Sequence, residues 1–537
     1  MDVLTTIDKR HTAQTEQADH RQIKNAAGGY TFAVDDWNRV HRFLTLGTDG
    51  GTYYTSAKDL TKDNAAVIFR AAATDPVELV RRIVDISVAG RAPKQNPALF
   101  ALAIAAACDD VDGRRAALAA LPQVARTASH LFTFSNYVEQ FRGWGPTLKR
   151  AVAAWYTDRP VDQLAYQVVK YRQRDDWTHR DLLRLSHPVT RDEERRTLFD
   201  FITRGVVGRD PESLADCEAV PGLPAIVEDY VHAQHTRFVD AWVEIINRGH
   251  GLSWEMLPDA ALGHVEVWEA LLDRGIPQTA LMRQLPRLTR LGLATGATGR
   301  AIAEQLQDAG RLKSARVHPI NVLVAQRTYT AGQSARGDST WTPSPLISDA
   351  LDAAFYNAFG AVEPTGKRTL LALDVSGSMA MHTCSGLPIT PREASAALAM
   401  VTAATEQDYG VVGFSSGLRP LDISPRRRLD DNINAVSGLP FDRTDCALPM
   451  TAALRNGAEI DTFVILTDNE TWYGSIHPHQ ALRKYRDKTG IDARLAVVAM
   501  TATGNTIADP ADPGQIDVSG FDSTVPQLLA DFSRGTI

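Results

Sequence analysis

Residues 370–378 read Leu370-Leu-Ala-Leu-Asp374-Val-Ser376-Gly-Ser378. Four apolar residues followed at once by an acid and two hydroxyls predict a buried strand that ends in a polar loop. More apolar, β-branched runs follow at Val411–Phe414, Phe463–Thr467 and Leu495–Met500, with helical segments at Arg392–Glu406 and His479–Lys488 between them. Strands alternating with helices predict an α/β domain, a doubly wound parallel sheet covered on both faces. Open sheets of this kind bind ligands beyond the carboxyl ends of their strands, and Asp374 falls at such an end.

Upstream the texture is different. From about residue 35 to residue 361, apolar residues recur at three- and four-residue spacing, broken by short Gly/Pro/Asp connections. Pro76–Val88, Pro97–Ala107, Leu164–Arg172, Thr178–Ser186, Phe238–Asn247 and Val265–Asp273 are examples. Many short helices joined by turns predict an all-α solenoid of stacked pairs, although no clean repeat period emerges. Breaks at Thr340–Pro345 and Glu363–Gly366 put the boundary near residue 365. The expected organisation is a polar tail over 1–18, a helical domain over 19–365 and the α/β domain over 366–537.

The chain has 537 residues, 44% hydrophobic and 23% charged, with net charge −7. That is the mix of a globular protein with a real core, and it excludes a generally basic, histone-like binder. Residues 367–537 carry 15 basic and 20 acidic residues, which leaves 42 and 44 for the rest. Any nucleic-acid site must be a local patch. The four cysteines (Cys108, Cys217, Cys384 and Cys446) form no CxxC pair, so a zinc ribbon is excluded and a reducing compartment is expected. The N-terminus has no apolar signal core, and the run Ala98–Cys108 is about half of the ~20 residues a membrane span needs. A cytoplasmic protein without a membrane partner is expected.

Two constellations carry chemistry. Asp374, Ser376 and Ser378 are joined by Thr444, after a loop, and by Asp468 at the end of FVILTD. Mg²⁺ prefers oxygen ligands in near-octahedral geometry and keeps some of its water. The hydroxyls of Ser376, Ser378 and Thr444 suit direct binding, while Asp374 and Asp468 supply charge through water. With so few direct carboxylates the ion stays electrophilic and can take an acidic group from a partner. The plainer alternative is that the serines cap the next helix and Asp374 sits in a turn. The five residues together favour a divalent cation, Mg²⁺ first.

The helical half holds Lys170-Tyr-Arg172-Gln-Arg174-Asp-Asp-Trp177-Thr-His179-Arg180-Asp-Leu-Leu-Arg184-Leu-Ser-His187. Residues 142–191 carry ten Lys/Arg against five Asp/Glu. Lys170 and Arg174 are four apart. A Thr178-x-x-Asp181 capping pattern opens the next helix, where Arg180, Arg184 and His187 share an arc and Leu182 and Leu185 face the core. Aligned cations near Tyr171 and Trp177 suit phosphate contacts and stacking on single-stranded nucleic acid. A second patch, Arg283–Arg327, carries eight Lys/Arg against two Asp/Glu. From composition alone, a solvated face paired with Asp175, Asp176 and Asp181 is the commoner meaning of such a stripe.

DVSGS, the threonine of RTDCALPM and the aspartate of LTDNE resemble the metal-ion-dependent adhesion site of von Willebrand factor A domains, across residues 367–537. KYRQRDDWTHRDLLRLSHP, LMRQLPRLTRLG and RVHPINVLVAQRTYTAG resemble the TROVE domain of the Ro 60 kDa autoantigen family, whose members carry both domains in this order. The resemblance implies a HEAT-like helical-repeat ring with a positively charged hole. Such a ring binds the single-stranded 3′ ends of misfolded structured RNAs, and its outer surface binds small non-coding Y RNAs. In a bacterial or phage member it also implies partnership with a 3′-to-5′ exoribonuclease. It carries RNA binding over to Lys170, Arg172, Arg174 and His187; Arg142, Lys149, Trp177, His179 and Arg180 join them on charge and proximity. One departure is visible. Arg443 precedes Thr444 where glycine is expected, and should pair with Asp442 or Asp445 or tune the acid that docks there.

Catalysis is not expected. There is no H-E-x-x-H, P-loop or G-x-G-x-x-G motif, Cys446 lacks an identifiable base, and a nuclease would want two metals held by carboxylates. His477 and His479 read as loop residues. The leading expectation is a non-catalytic ribonucleoprotein component that binds a Y-like RNA and misfolded RNA, with no DNA partner. The alternative is a metal-dependent protein-interaction scaffold that binds no RNA.

Overall fold

The computed structural model describes residues 12–33, 36–46, 65–90, 94–205, 222–334, 338–375, 379, 383–384, 387–437, 443–469, 471–500, 505–521 and 525–536. Two short strands, β1 (Gln22–Lys24) and β2 (Tyr30–Ala33), precede a long helical array. The array begins with α1 (Asp36–Leu46), α2 (Ala66–Thr74), α3 (Pro76–Val88), α4 (Asn96–Ala107), α5 (Val111–Val124), α6 (Ala128–Phe141), α7 (Pro146–Thr157) and α8 (Val161–Lys170). After the hairpin β3 (Gln173–Arg174) and β4 (Trp177–Thr178) it continues with α9 (His179–Ser186), α10 (Glu193–Arg204), α11 (Ala225–His235) and α12 (Val239–Arg248). It ends with α13 (Val265–Arg274), α14 (Gln278–Arg290), α15 (Gly296–Gln307), α16 (Ala309–Ser314), α17 (Pro319–Thr330) and α18 (Pro345–Asn357).

Local chemistry sets these bounds. On α3 the Asp75 carboxylate accepts from Glu78 N, Pro76 occupies the first turn, and Leu79, Val80, Ile83 and Ile86 form the buried face. The apolar run at Ala98 becomes α4, buried from Pro97 through Ala106, around which α3, α5 and α6 pack. Among the described residues no helix is long and apolar enough to cross a membrane.

The α/β domain contains β5 (Thr369–Asp374), α19 (Pro391–Thr405), β6 (Tyr409–Phe414), β7 (Leu418–Pro420), α20 (Leu429–Ser437) and α21 (Leu448–Arg455). It closes with β8 (Thr462–Thr467), α22 (Pro478–Thr489), β9 (Arg494–Ala499), β10 (Asn505–Thr506), β11 (Gln515–Ser519) and α23 (Val525–Arg534). The sheet order is β11-β9-β8-β5-β6-β7, parallel except for β7. The chain runs outward from β5 first to β6 and then, on the other side, to β8. The topological switch therefore lies between β5 and β8, where a ligand crevice is expected.

Three findings depart from the organisation expected above. First, residues 12–18 are not a free tail, and the hairpin β1–β2 does not join the helical array. Gln14 is fully buried against the α/β domain, and β2 pairs with β10 to complete a three-stranded sheet. Gln14 is polar because it hydrogen-bonds buried polar groups of the α/β domain, while Thr15, Glu16 and Gln17 are exposed to water. Second, residue 365 marks a change of element type and not of core. One hydrophobic cluster runs continuously from Trp242 and Trp268 through Leu351 to Leu371, Leu398 and Leu529, while α1–α10 form a separate cluster.

Third, both ends of the array dock on the α/β domain. At one end Arg42 of α1 makes a buried ion pair with Asp517 of β11, 2.7 Å. At the other, Arg327 of α17 reaches Glu393 (3.3 Å) and Asp430 (3.1 Å), and Arg428 reaches Asp352 (3.3 Å). The helical array is thereby closed through the sheet domain.

Candidate nucleic-acid interface and metal site

The stripe does not run along two successive helices. α8 stops at Lys170, and Gln173–Thr178 form a hairpin whose turn residues Asp175 and Asp176 take positive φ, 52° and 62°. Two consecutive residues in the left-handed region are what a tight two-residue hairpin turn requires, and Asp tolerates them. Asp175 is anchored by Thr133 Oγ1 at 2.6 Å and lies 3.6 Å from Arg174 Nε.

The hairpin nevertheless brings three of the expected residues together. Lys170, Arg172 and Arg174 line a polar cleft of about 360 Å³ with Tyr171, Tyr230 and Glu255. The Arg172 guanidinium lies over the Tyr230 ring at 5.4 Å. Lys170 is already committed, its Nζ bonded to Tyr166 OH and Glu255, each at 2.9 Å. Burial pulls its pKa down, but those two bonds outweigh burial and hold the ammonium above the ordinary lysine value. Tyr230 and Glu255 come from far along the chain, and nothing in their sequence context signals the cleft.

On α9 the expected capping box is present, with Thr178 and Asp181 bonded reciprocally. Arg180, Arg184 and His187 are exposed, and neither arginine has an ion-pair partner among the described residues. His187 is the C-cap in left-handed conformation, φ 48°. The core side of α9 is Leu182 and Leu183, whereas Leu185 is only half-buried.

His179 is misassigned as an RNA contact. It is buried, donating from Nε2 to Tyr171 O at 3.0 Å while Nδ1 accepts from Tyr156 OH at 2.8 Å. Burial drops its pKa to about 4, so it packs as a neutral ring. Trp177 is half-buried against Trp144, ring centroids 5.4 Å apart, and Arg142 donates to Ala106 O at 2.5 Å. Lys149 lies half-buried on α7, outside the cleft lining. A second set without ion-pair partners among the described residues was visible only as a basic stretch: Arg283, Arg287 and Arg290 on α14, with Leu281, Leu285 and Leu288 buried on the opposite side.

At the switch point Asp374 ends β5, buried, and its Oδ2 accepts from Thr467 Oγ1 of β8 at 3.0 Å. Asp468 follows directly on β8, half-buried, and the next residue, Asn469, takes φ 65° with its buried Oδ1 unpartnered among the described residues. Thr444 is buried, its carbonyl accepting from Trp472 N and Tyr473 N at 3.2 Å. Ser376 and Ser378 lie outside the described residues. The donors that are described are all hard oxygens at one sheet edge, which fits a small divalent cation. Among the described residues no group of three or more His, Cys, Asp or Glu is placed to hold a metal. Arg443 is exposed, with its guanidinium over Trp472 (5.5 Å) and Tyr473 (5.0 Å). Asp445 is turned to Gln14 and Ala447 N; burial pushes its carboxyl up to about 6 against those two bonds.

Two family models match the chain: the TROVE domain over residues 23–211 and 249–328, and the Ro60 vWA domain over residues 368–533. The RNA-binding protein RO60 of Deinococcus radiodurans is 39% identical over 541 residues, spanning 100% of this chain and 99% of that protein. The chain belongs to the Ro60 family. Its Ro60 relatives include the RNA-binding protein RO60 of Caenorhabditis elegans, 36% identical over 99% of this chain and 94% of that one. The crystal structure of the Deinococcus radiodurans RO (RSR) protein superposes with TM-score 0.77 at 38% identity, over 94% of this chain and 100% of that one. The match extends over both domains, so the Ro60 architecture of a helical region followed by a von Willebrand A domain is shared throughout.

Proposed function

We propose that this Ro60 protein is an RNA-binding ribonucleoprotein component with no catalytic step of its own, taking a small Y-like RNA and the single-stranded 3′ ends of misfolded structured RNAs. The observation that carries the reading is the cleft lined by Arg172, Arg174, Tyr171 and Tyr230, followed along the chain by Arg180 and Arg184, exposed on α9. Exposed arginines beside the half-buried Tyr171 ring can hold a flexible strand by charge and stacking, with no need of duplex geometry. The relatives are themselves named RNA-binding proteins. Delivery of the held 3′ end to a 3′-to-5′ exoribonuclease is the role this geometry would serve.

The α/β domain is proposed to hold Mg²⁺ through Ser376, Ser378 and Thr444, with Asp374 and Asp468 in the outer shell. The ion would supply an open position for an acidic group of a partner. Asp374 is oriented by Thr467, and Thr444 is fixed through its carbonyl.

Filter binding of a stem with a single-stranded 3′ tail, against the same stem made blunt, tests the RNA reading. The closed array admits a strand more readily than a duplex, so the tailed form should bind more tightly. Equal affinity would refute threading and leave only an outer-surface site; no binding of either would refute the function.

A further inference from the structure

We propose that the N-terminal strap, residues 12–30, is a clamp that positions the Thr444 loop for its cation, with Gln14 as the positioning residue. The proposal rests on the metal reading above.

Gln14 has no exposed surface, although it is polar and lies near the chain's start. Its Nε2 donates to Asp445 Oδ1 at 2.7 Å and to Ile476 O at 2.9 Å. Its Oε1 accepts from the Thr471 hydroxyl, which also lies 3.2 Å from the Thr444 carbonyl and accepts from Cys446 N at 3.2 Å. One amide thus reaches the residue after the metal threonine directly, and it also holds Thr471, whose hydroxyl lies beside the threonine's own carbonyl. A buried glutamine can donate and accept at once, so it satisfies groups that would otherwise be buried unpaired.

The rest of the strap holds that amide in place. Gln14 N donates to Gly474 O at 3.1 Å, and Gln14 O accepts from Tyr30 N at 2.8 Å. Asn25 Nδ2 donates to Thr471 O at 2.7 Å, and His477 Nε2 donates to Glu16 O at 2.9 Å. Two glycines permit the approach. A Cβ on Gly29 would lie 2.2 Å from Thr471 O, and one on Gly474, at φ +137°, would lie 2.6 Å from the Asp445 carboxylate. The loop 471–474 is therefore sandwiched between the strap and Thr444, and it cannot shift without both.

Thermodynamic reciprocity makes this testable in two directions: if the ordered strap raises cation affinity by some factor, bound cation must protect the strap by the same factor. In the full chain, Gln14→Ala should weaken Mg²⁺ binding by about tenfold in calorimetry, the effect of leaving buried partners unpaired. In the wild type, saturating Mg²⁺ should slow hydrogen exchange at the Gln14 and Tyr30 amides by a similar factor. A merely structural strap would change neither, and the exchange measurement needs no variant. If wild type binds Mg²⁺ but Gln14→Ala, shown folded by circular dichroism, keeps its affinity within twofold, the clamp is overturned and the metal reading stands. Strap exchange indifferent to Mg²⁺ in a binding wild type has the same consequence. No Mg²⁺ binding by wild type overturns the metal reading and the clamp with it.

Discussion

A cation can release a condensed counterion from RNA only if it is not already spent on a carboxylate. An arginine held in an ion pair exchanges one anion for another and contributes little to the salt dependence of binding. The structure sorts the basic residues on this criterion. Arg283, Arg287 and Arg290 lie at i, i+4 and i+7 on α14, within an arc of about 60° at 100° per residue. Residues 274–303 contain five arginines (Arg274, Arg283, Arg287, Arg290 and Arg300) and no acid. The triple variant Arg283→Gln/Arg287→Gln/Arg290→Gln removes up to three contacts. At about 0.7 per contact for a single strand, the slope of log K against log salt should fall by about 2 units, and affinity near 0.1 M salt by about 100-fold.

Arg180→Gln with Arg184→Gln should remove about 1.4 units by the same arithmetic. Arg174→Ala should give less than one full contact because Asp175 lies 3.6 Å away. Lys170→Ala should leave the slope nearly unchanged because Glu255 already holds its ammonium at 2.9 Å. Arg81→Gln is the control, since Arg81 is paired with Glu78 (2.6 Å) and Asp85 (2.7 Å) on α3. Filter binding of one tailed RNA across a KCl series reads all five. If the α14 triple variant keeps wild-type affinity and slope, that face is only solvated. If Lys170→Ala loses as much slope as Arg180→Gln, pre-neutralisation is the wrong criterion.

Asp374→Ala, or Ser376→Ala with Ser378→Ala, should abolish Mg²⁺ binding in calorimetry with tailed-RNA affinity unchanged; Mg²⁺ bound normally by the double serine variant would sink the ligand assignment. Arg42→Ala strands Asp517 in the α1–β11 interface and should cost about 3–5 kcal/mol in urea unfolding, while Arg42→Met with Asp517→Leu recovers most of it; a loss below about 1 kcal/mol would mean the closure is not held there. His130, His179, His318 and His479 are each dropped by burial to about 4 from the ordinary 6.5, so the fold prefers them neutral. The stability they contribute is complete above pH 6.5 and is lost as pH falls towards about 4, so a melting temperature flat between those values contradicts their burial.

The elements were legible because their signals are local. The Asp75 cap, Pro76 and the Leu79/Val80/Ile83/Ile86 spacing define α3 within one stretch, and the Thr178–Asp181 box opens α9. The four central strands were readable as apolar runs because parallel strands are buried on both faces. Asp374 and Asp468 could each be placed at a strand's carboxyl end from the apolar run before it. The β3–β4 hairpin was not legible. Lys170 and Arg174 are four apart, which also fits a helix, and the deciding feature is the left-handed Asp175–Asp176 pair, for which Asp is a weaker signal than Gly or Asn.

What spacing cannot carry is which charges are already partnered, because the partners come from far along the chain. Lys170 is held by Glu255, Gln14 holds Asp445 across 431 positions, and Arg42 meets Asp517 across 475. The last two form only where the N-terminal segment and α1 meet the α/β domain, whereas the first forms within the helical array, and in none does either end have a local signature. The consequence is functional. The Lys170–Arg174 segment carries three cations in five residues, yet packing within the array spends Lys170 on Glu255, while the arginines of α9 and Arg283, Arg287 and Arg290 of α14 have no ion-pair partner among the described residues. Long-range contact likewise turns a polar N-terminus into part of the α/β domain. The array's first helix is therefore tied to the α/β domain, and the Thr444 loop to the N-terminal segment, by long-range contacts, and a change at Arg42 or Gln14 should be felt at sites that neither residue touches.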